Sequence, residues 1–229
     1  MANLDHMMDA AIERISQTVP LAPVELEPEL AKPKSFLKIL DADHYNWEAE
    51  KFRKLFAMRF RVKVPALDQI NMIFYPEPDL DAPIFLFFCL VTKRKVIAHL
   101  NVNCPFDDPA YRARWVDPLV AILGRYPEFD APDRYPDWMV KYRRDCTIMG
   151  MFGQDRYDDI YQCGLDYLDY YMEQIAVSEP EKDPDKLAHI RDFHARFVDD
   201  IRTQDKAQGM ISKMIGKEKA RRIFYEITT

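Results

Sequence analysis

The sequence predicts a mixed fold, an α+β or α/β/α sandwich, in which a meandering β-sheet is covered by helices. Two patterns carry this prediction. Short alternating or wholly apolar runs follow one another between residues 52 and 103, and two long single-face helical stripes lie between residues 161 and 201. At 229 residues, 48% of them hydrophobic, the chain is long enough to bury one sizeable core. We therefore predict a single domain spanning residues 1–229.

Residues 1–35 are expected to form a short amphipathic helix followed by a proline-rich arm. Segment 18–35 contains four prolines and few periodic apolar positions, so it should run extended across the surface. The N-terminus carries acidic residues and lacks the basic start and apolar run of a signal peptide. No stretch approaches the roughly 18 apolar residues that a membrane helix needs. We therefore expect a cytoplasmic protein that does not enter a membrane.

Four strands are predicted in the first half of the chain. Segment 52–63 alternates apolar and basic residues, segment 69–76 follows, and segment 84–91 is apolar on both faces and should lie inside the sheet. A polar turn leads into segment 96–103, where alternation places Ile97 and three polar residues on one face: His99, Asn101 and Asn103. Such a row predicts a pocket wall, although a solvated sheet face has the same pattern.

The second half of the chain is predicted to be helical. Apolar residues step by three and four positions from Tyr161 to Ile175 and again from Leu187 to Ile201. Asp183 followed by Pro184 is typical of a helix start. His194 falls within the second apolar stripe, so we expect a buried histidine whose ring is satisfied by the core.

Composition excludes several classes of function. A net charge of −6 argues against a general nucleic-acid binder. Only six glycines are present and no phosphate-binding loop is found, which makes a nucleotide or flavin site improbable. The four cysteines and five histidines are scattered, so we predict no metal site and free thiols. Segment 206–222, in contrast, is strongly basic and is a candidate docking patch for an acidic partner.

Three segments resemble one known family. Residues 75–85 (YPEPDLDAPIF) are similar to the F-P-x-P-x-x-D-x-P-I-F segment of ferredoxin-dependent bilin reductases, and residues 100–105 (LNVNCP) to that family's L-D-x-x-P strand end. Residues 202–211 (RTQDKAQGMI), continuing to 216–220 (GKEKA), resemble its C-terminal D-x-x-x-G segment. The three matches occur in the family's order and spacing over roughly residues 50–228, which chance similarity rarely produces.

The resemblance implies a three-layer α/β/α sandwich with a central antiparallel β-sheet flanked by helices. It also implies that a bilin, biliverdin IXα or a related linear tetrapyrrole, binds between the sheet and the C-terminal helices. Members take single electrons from a [2Fe–2S] ferredoxin, with no bound metal or flavin, and protons come from side chains. We accordingly expect a monomer whose partners are ferredoxin and a bilin.

The resemblance nominates Asp205 as a proton donor, because this residue matches the family's C-terminal aspartate. Each electron added to the tetrapyrrole produces a basic radical anion that must be protonated. Burial should raise the pKa of Asp205 and favour its donating form. Without the resemblance, an aspartate at this place would first be interpreted as a turn or cap residue.

The sheet-side acids of the family are missing. The family positions that carry an aspartate or a histidine are occupied here by Phe88, Asn71 and Asn101, which cannot donate a proton at neutral pH. We therefore expect these three residues to contact the bilin without titrating, and a two-electron reduction at ring A. His99, on the same face as Asn101, is a candidate replacement donor because a histidine ordinarily titrates near neutrality.

Basic residues have two predicted roles. Lys206, Arg143 and Arg144 are candidates to pair with bilin propionates. Four further residues are expected to receive acidic ferredoxin: Lys213, Lys217, Lys219 and Arg221. An ordinary solvated surface explains all of them almost as well. Two other functions stay open: a catalytically impaired bilin-binding protein on the same fold, and an interaction module that binds no tetrapyrrole.

Overall fold

The computed structural model describes residues 4–35, 39–129 and 136–229 and contains one seven-stranded antiparallel sheet. The strands lie in the order of the chain, so each connection is a hairpin or a return to the neighbouring position. Their bounds are β1 Ala22–Pro23, β2 Leu40–Ala49, β3 Phe52–Val62, β4 Leu67–Pro76, β5 Ile84–Thr92, β6 Lys95–Asn103 and β7 Ile148–Gly153.

The four strands expected from the sequence pattern are β3 to β6, and the structure confirms all of them. The pattern did not indicate β2 and β7. Strand β2 contains Asp41 and Asp43, which disfavour strands in isolation, but Asp43 lies opposite Arg59 of β3 and binds its guanidinium at 3.1 Å. Two glycines, Gly150 and Gly153, obscure the pattern of β7. In both strands tertiary contacts outweigh local propensity.

In the described ranges, eight α-helices flank the sheet. They are α1 Leu4–Thr18, α2 Pro28–Ala31, α3 Pro109–Trp115, α4 Asp117–Leu123, α5 Tyr157–Ala176, α6 Pro184–Gln204, α7 Ala207–Ile215 and α8 Lys217–Arg222. A 3₁₀ segment, Asp137–Tyr142, precedes β7, and a π-helical turn, Ile223–Thr228, follows α8. The expected cap is present: the Asp183 carboxylate accepts hydrogen bonds from the backbone of Asp185 and Lys186. The three-layer α/β/α arrangement is thus confirmed.

The N-terminal arm is more ordered than its prolines suggest. It adds β1 to the edge of β2 and then forms the single turn of α2. Arg222 of α8 binds Glu27 of the arm at 2.8 Å, and Nδ1 of His44 lies 2.6 Å from the carbonyl oxygen of Leu30. The arm therefore links the edge strands to the C-terminal helices.

The two faces of the sheet are covered differently. One, called here the closed face, packs against α1, α3, α4 and α5, and on β5 it carries Phe85, Phe87, Cys89 and Val91, each at most 1% exposed. The other, the cavity face, packs against α6, α7, α8 and the C-terminal turn. On the same strand it carries Leu86, Phe88 and Leu90. Alternate side chains of β5 therefore pack into two separate cores, one on each face of the sheet.

The described residues contain neither a membrane-spanning helix nor a cluster of metal-binding side chains. None of their helices combines the length and apolar character required to cross a bilayer. No group of three or more histidine, cysteine, aspartate or glutamate side chains among them is arranged to hold a metal ion.

Candidate active site

A cavity of about 710 Å³ lies between the cavity face and the C-terminal helices. Its volume falls in the range of about 300–1,000 Å³ that is typical of small-molecule sites. The sheet, the start of the 3₁₀ segment, the α6–α7 junction and the C-terminal turn each contribute a wall. Its polar lining residues are Gln69, Asn71, His99, Asp137, Gln204, Asp205, Lys206 and Thr228, and the rest of the lining is largely apolar.

One straight row of side chains forms the middle of the cavity floor. Strand pairing places five residues opposite one another across five strands: Met58, Asn71, Phe88, His99 and Met149. All five line the cavity. Adjacent strands are about 4.8 Å apart, so Asn71 and His99, two strands apart, lie about 10 Å from each other on either side of the Phe88 ring. The floor offers two polar groups separated by an aromatic surface.

Asn71 lines the cavity and has an unpaired hydrogen-bond acceptor. Its Oδ1 atom is buried and has no hydrogen-bond partner among the described residues. A buried amide oxygen left unpaired costs about 1–3 kcal/mol, and a ligand N–H group would remove that cost. The structure therefore brings Asn71, expected from the sequence to contact the ligand, to a position where it can accept a hydrogen bond.

Asp205 stands at the junction of α6 and α7 and lines the cavity. Burial raises the pKa of its carboxyl group, and a hydrogen bond from the backbone N–H of Ala207 to Oδ1, 2.8 Å long, opposes that rise. The expected direction of the pKa shift is thus confirmed without any ligand. Asp205 also acts as a capping residue, the role that an aspartate at this place would first suggest, because Oδ1 accepts a hydrogen bond from the first N–H group of α7.

His99 lies in the cavity floor, but its protonation differs from the expectation. Burial lowers the pKa of His99 to about 3. Burial therefore moves the titration of this ring well below the near-neutral range of an ordinary histidine. The imidazole is neutral at pH 7, so it can accept or donate a hydrogen bond but does not carry a proton to give away.

Asn101 does not line the cavity, which corrects its expected role. The row that contains Asn101 is the next one along β6, and Tyr142 and Thr147 cover it. Its Nδ2 donates to the carbonyl oxygen of Tyr142 at 2.9 Å, and its Oδ1 accepts from the hydroxyl of Thr147 at 2.7 Å. The amide is fully buried, so its hydrogen bonds hold the β6–β7 connection instead of a ligand.

Arg143 and Arg144 also lie outside the cavity lining, contrary to the expectation that they bind a ligand carboxylate. Arg144 donates to the carbonyl oxygen of Cys104 at 3.3 Å and to that of Arg143 at 2.8 Å. Both residues directly follow the 3₁₀ segment, and neither is among the residues that line the cavity. Lys206, in contrast, is exposed and lines the cavity.

The basic C-terminal run is partly neutralised by the fold. Lys219 pairs with Glu29 of the arm at 3.4 Å, and Arg221 pairs with Glu218 at 2.8 Å. Lys213 and Lys217 are exposed and make no ion pair with any described residue. The free positive charge of the run is therefore concentrated on these two lysines and on Lys206.

Two features of the cavity face were not anticipated from the sequence. Asp137 and Trp138 open the 3₁₀ segment and line the cavity. Their only sequence signal is that Asp137 follows a proline, which indicates a helix start and no ligand contact. His194 is buried as expected, but neither ring nitrogen has a partner among the described residues, so it is not a satisfied core histidine.

The site defines a class of protein. A large, mostly apolar cavity with an unpaired acceptor and a carboxyl group of raised pKa is suited to a sizeable conjugated ligand that is held and protonated. A solved structure has the same fold as this chain: phytochromobilin synthase from tomato, crystallised in complex with biliverdin. The two superpose with a TM-score of 0.87 at 17% identity, over 99% of this chain and 84% of that one.

Sequence comparison identifies the family. The model of the ferredoxin-dependent bilin reductases matches residues 8–227, so the chain belongs to that family. Two relatives come from Gloeobacter violaceus. The 15,16-dihydrobiliverdin:ferredoxin oxidoreductase is 26% identical over 68% of this chain and 65% of its own length. The phycoerythrobilin:ferredoxin oxidoreductase is 24% identical over 75% of this chain and 71% of its own length. This chain therefore matches about two thirds of each relative.

Proposed function

We propose that this protein reduces biliverdin IXα or a dihydrobiliverdin with electrons from ferredoxin, adding two electrons and two protons at ring A. One observation carries the proposal. The Asp205 carboxyl group, whose pKa is raised, lines the cavity, and the sheet floor of the same cavity contains no carboxylate among its described residues. Family membership supports the reaction class, and the single buried acid supports protonation at one end of the substrate.

Asp205 is the proposed proton donor. Each electron that a reduced [2Fe–2S] ferredoxin transfers converts the tetrapyrrole into a basic radical or anion. A carboxyl group of raised pKa then delivers a proton to the adjacent carbon. The Asp205 carboxylate then regains its proton from solvent through the exposed side of the α6–α7 junction, where Gln204 and Lys206 lie. Two such steps complete the reduction.

The remaining lining residues position the substrate. Asn71 accepts a hydrogen bond from a pyrrole N–H, and Phe88 supports the conjugated plane between Asn71 and His99. His99 acts as a neutral hydrogen-bonding group. Lys206 pairs with a propionate at the open side of the cavity. Lys213 and Lys217 lie on α7 and α8, which pack on the cavity face of the sheet, where acidic ferredoxin would dock close to the electron acceptor.

An anaerobic assay tests the proposal directly. The purified protein is mixed with biliverdin IXα, ferredoxin and a reducing system, and absorbance and product chromatography follow the reaction. We expect a product with two additional hydrogens and shortened conjugation at ring A. Dihydrobiliverdin replaces biliverdin in a parallel reaction, because the more rapidly consumed compound identifies the substrate.

The alternative of a retired, bilin-binding member of the family has a distinct outcome. The floor residues Asn71 and Phe88 would still bind the pigment, which would change its spectrum without turnover. Stoichiometric binding with no product from either substrate would reject the proposed reductase and establish a bilin carrier. Failure to bind either compound would reject both.

A further inference from the structure

Two opposite charges at the cavity have no partner in the described part of the chain. Lys206 lies where α6 meets α7, and Asp137 opens the 3₁₀ segment on another wall. Both side chains belong to exposed residues. The nearest basic residue along the 3₁₀ segment, Lys141, is already paired with Asp200 at 2.6 Å. The cavity therefore has one positive and one negative wall.

Asp137 has no evident structural duty. Its position at the start of a helical turn suits a capping residue, but the segment has no side-chain cap hydrogen bond. Interaction with the partial positive charge of a helix end is weak for an exposed carboxylate. An uncompensated carboxylate beside a ligand cavity instead repels any anionic group that approaches it.

The other titratable groups of the cavity are less exposed. Burial keeps His99 neutral, since its pKa is lowered to about 3. Asp205 is half-buried beside Lys206, and burial raises the pKa of its carboxyl group. Lys206 and Asp137 are therefore the exposed charges of the described lining, and they lie on different walls.

We propose that Asp137 is a specificity-determining residue, which repels the propionate groups of a linear tetrapyrrole and thereby fixes the direction in which it lies. The propionates are held toward Lys206, and the uncharged terminal rings occupy the side of Asp137. This inference rests on the proposed function, because it requires a tetrapyrrole ligand. It adds a repulsive element to the attraction that Lys206 supplies, a combination common in specific sites.

The test compares biliverdin with its dimethyl ester, which has the same ring system but no negative charge. Spectroscopic titration gives the dissociation constant of each compound for the parent and for Asp137→Asn. We expect Asp137→Asn to bind biliverdin about fivefold more tightly, the effect of one charge pair at about 7 Å in a mostly aqueous surrounding. Affinity for the ester should change by less than about twofold, since the ester has no charge to repel.

Two further variants make the result specific. Lys206→Gln should weaken the binding of biliverdin and leave that of the ester nearly unchanged. Glu173→Gln removes an exposed carboxylate from α5, on the far side of the sheet, and changes the net charge by the same amount. It should alter neither affinity. The gain in Asp137→Asn should also shrink at 1 M salt, where the Debye length falls to about 3 Å.

The outcomes separate this inference from the proposed function. If the parent binds biliverdin but Asp137→Asn binds both compounds equally better, or neither better, the electrostatic role of Asp137 is wrong and the proposed function stands. If the parent binds neither compound, the proposed function fails and this inference fails with it.

Discussion

The closed face and the cavity face of the sheet come from the same strands, yet they differ in how completely they are filled. On the closed face, α5 approaches so tightly that a Cβ atom on Gly164 would lie 2.3 Å from Cε1 of Phe87. On the cavity face, the neighbouring Phe88 borders a space of about 710 Å³. One side of β5 is a packed interior, and the other is a site.

Buried histidines follow the same division. The three buried histidines, His44, His99 and His194, all lie on the cavity side of the sheet. Among the described residues, unpaired buried atoms occur on both sides: Asn71 Oδ1 and both nitrogens of His194 on the cavity side, and the Tyr111 hydroxyl and Trp115 Nε1 on the closed side. The cavity and the buried histidines together indicate that the cavity face has given up some packing for binding and chemistry.

The largest expected effect is on catalysis at the cavity face. Asp205→Asn should lower the rate of bilin reduction by about 10²- to 10⁴-fold, the usual contribution of a general acid. A radical intermediate should accumulate under reducing conditions, because electrons still arrive while protonation stops. Anaerobic absorbance and electron paramagnetic resonance spectra measure both effects.

Asp199→Asn is the matched control for this substitution. Asp199 is an exposed residue of α6 outside the cavity lining, so its variant should retain the parental rate. Parental turnover by Asp205→Asn, with bilin binding intact, would remove Asp205 from the mechanism.

The second prediction contrasts two adjacent phenylalanines. Phe87→Ala should destabilise the protein by about 3–5 kcal/mol, because the closed face cannot collapse around the lost ring. Phe88→Ala should lower the free energy of unfolding by less than about 2 kcal/mol, because this ring is only half-buried and borders the cavity. The same substitution should weaken bilin binding. Denaturant unfolding of the ligand-free variants gives both free energies. Equal losses would show that the two faces are packed alike.

The third prediction concerns acid stability. Burial, followed by repulsion from Arg53, lowers the pKa of His194 to about 4, below the roughly 6.5 of an unfolded chain. Between these values the unfolded chain binds a proton that the native protein does not, so stability falls as pH falls. From pH 7 to pH 5 the contribution of His194 to this loss is about 2 kcal/mol, and His194→Leu should remove that contribution.

Unfolding free energies at pH 7 and pH 5 provide the measurement. Phe193→Leu, one residue away on α6, changes the packing without removing a titratable group and should keep the parental pH dependence. If His194→Leu loses as much stability as the parent over this interval, His194 does not contribute to the acid sensitivity.

The smallest expected effect is on ferredoxin docking. Lys213→Gln combined with Lys217→Gln should slow ferredoxin-dependent turnover by about threefold at low ionic strength, because two steering charges near the cavity are lost. The difference should disappear at high salt. Turnover as a function of ferredoxin and salt concentration measures it.

Arg125→Gln combined with Lys182→Gln is the control with the same change of charge. Both residues are exposed, and they follow α4 and α5, the helices of the closed face. An equal slowing in this control would mean that net charge matters and that docking has no preference for the cavity side.

Local pattern alone was sufficient for much of the architecture. A period of two residues identified β3 and β6 and separated their faces, and a wholly apolar run identified β5. Steps of three and four residues identified α5 and α6, because neighbouring side chains of a regular element point in directions that the backbone geometry dictates. The resemblance of residues 202–211 led to Asp205 by the same local reasoning. These features depend on residues close together in the chain.

The tertiary structure decided which polar residues share a space. Asn101 follows His99 by two positions on the same strand face, yet only His99 lines the cavity, because Tyr142 and Thr147 cover Asn101. Asp137 and Asp205 meet at one cavity although 68 positions separate them in the sequence. Whether a buried group is paired, and hence its pKa, depends on such long-range neighbours, and no local pattern in the sequence encodes them.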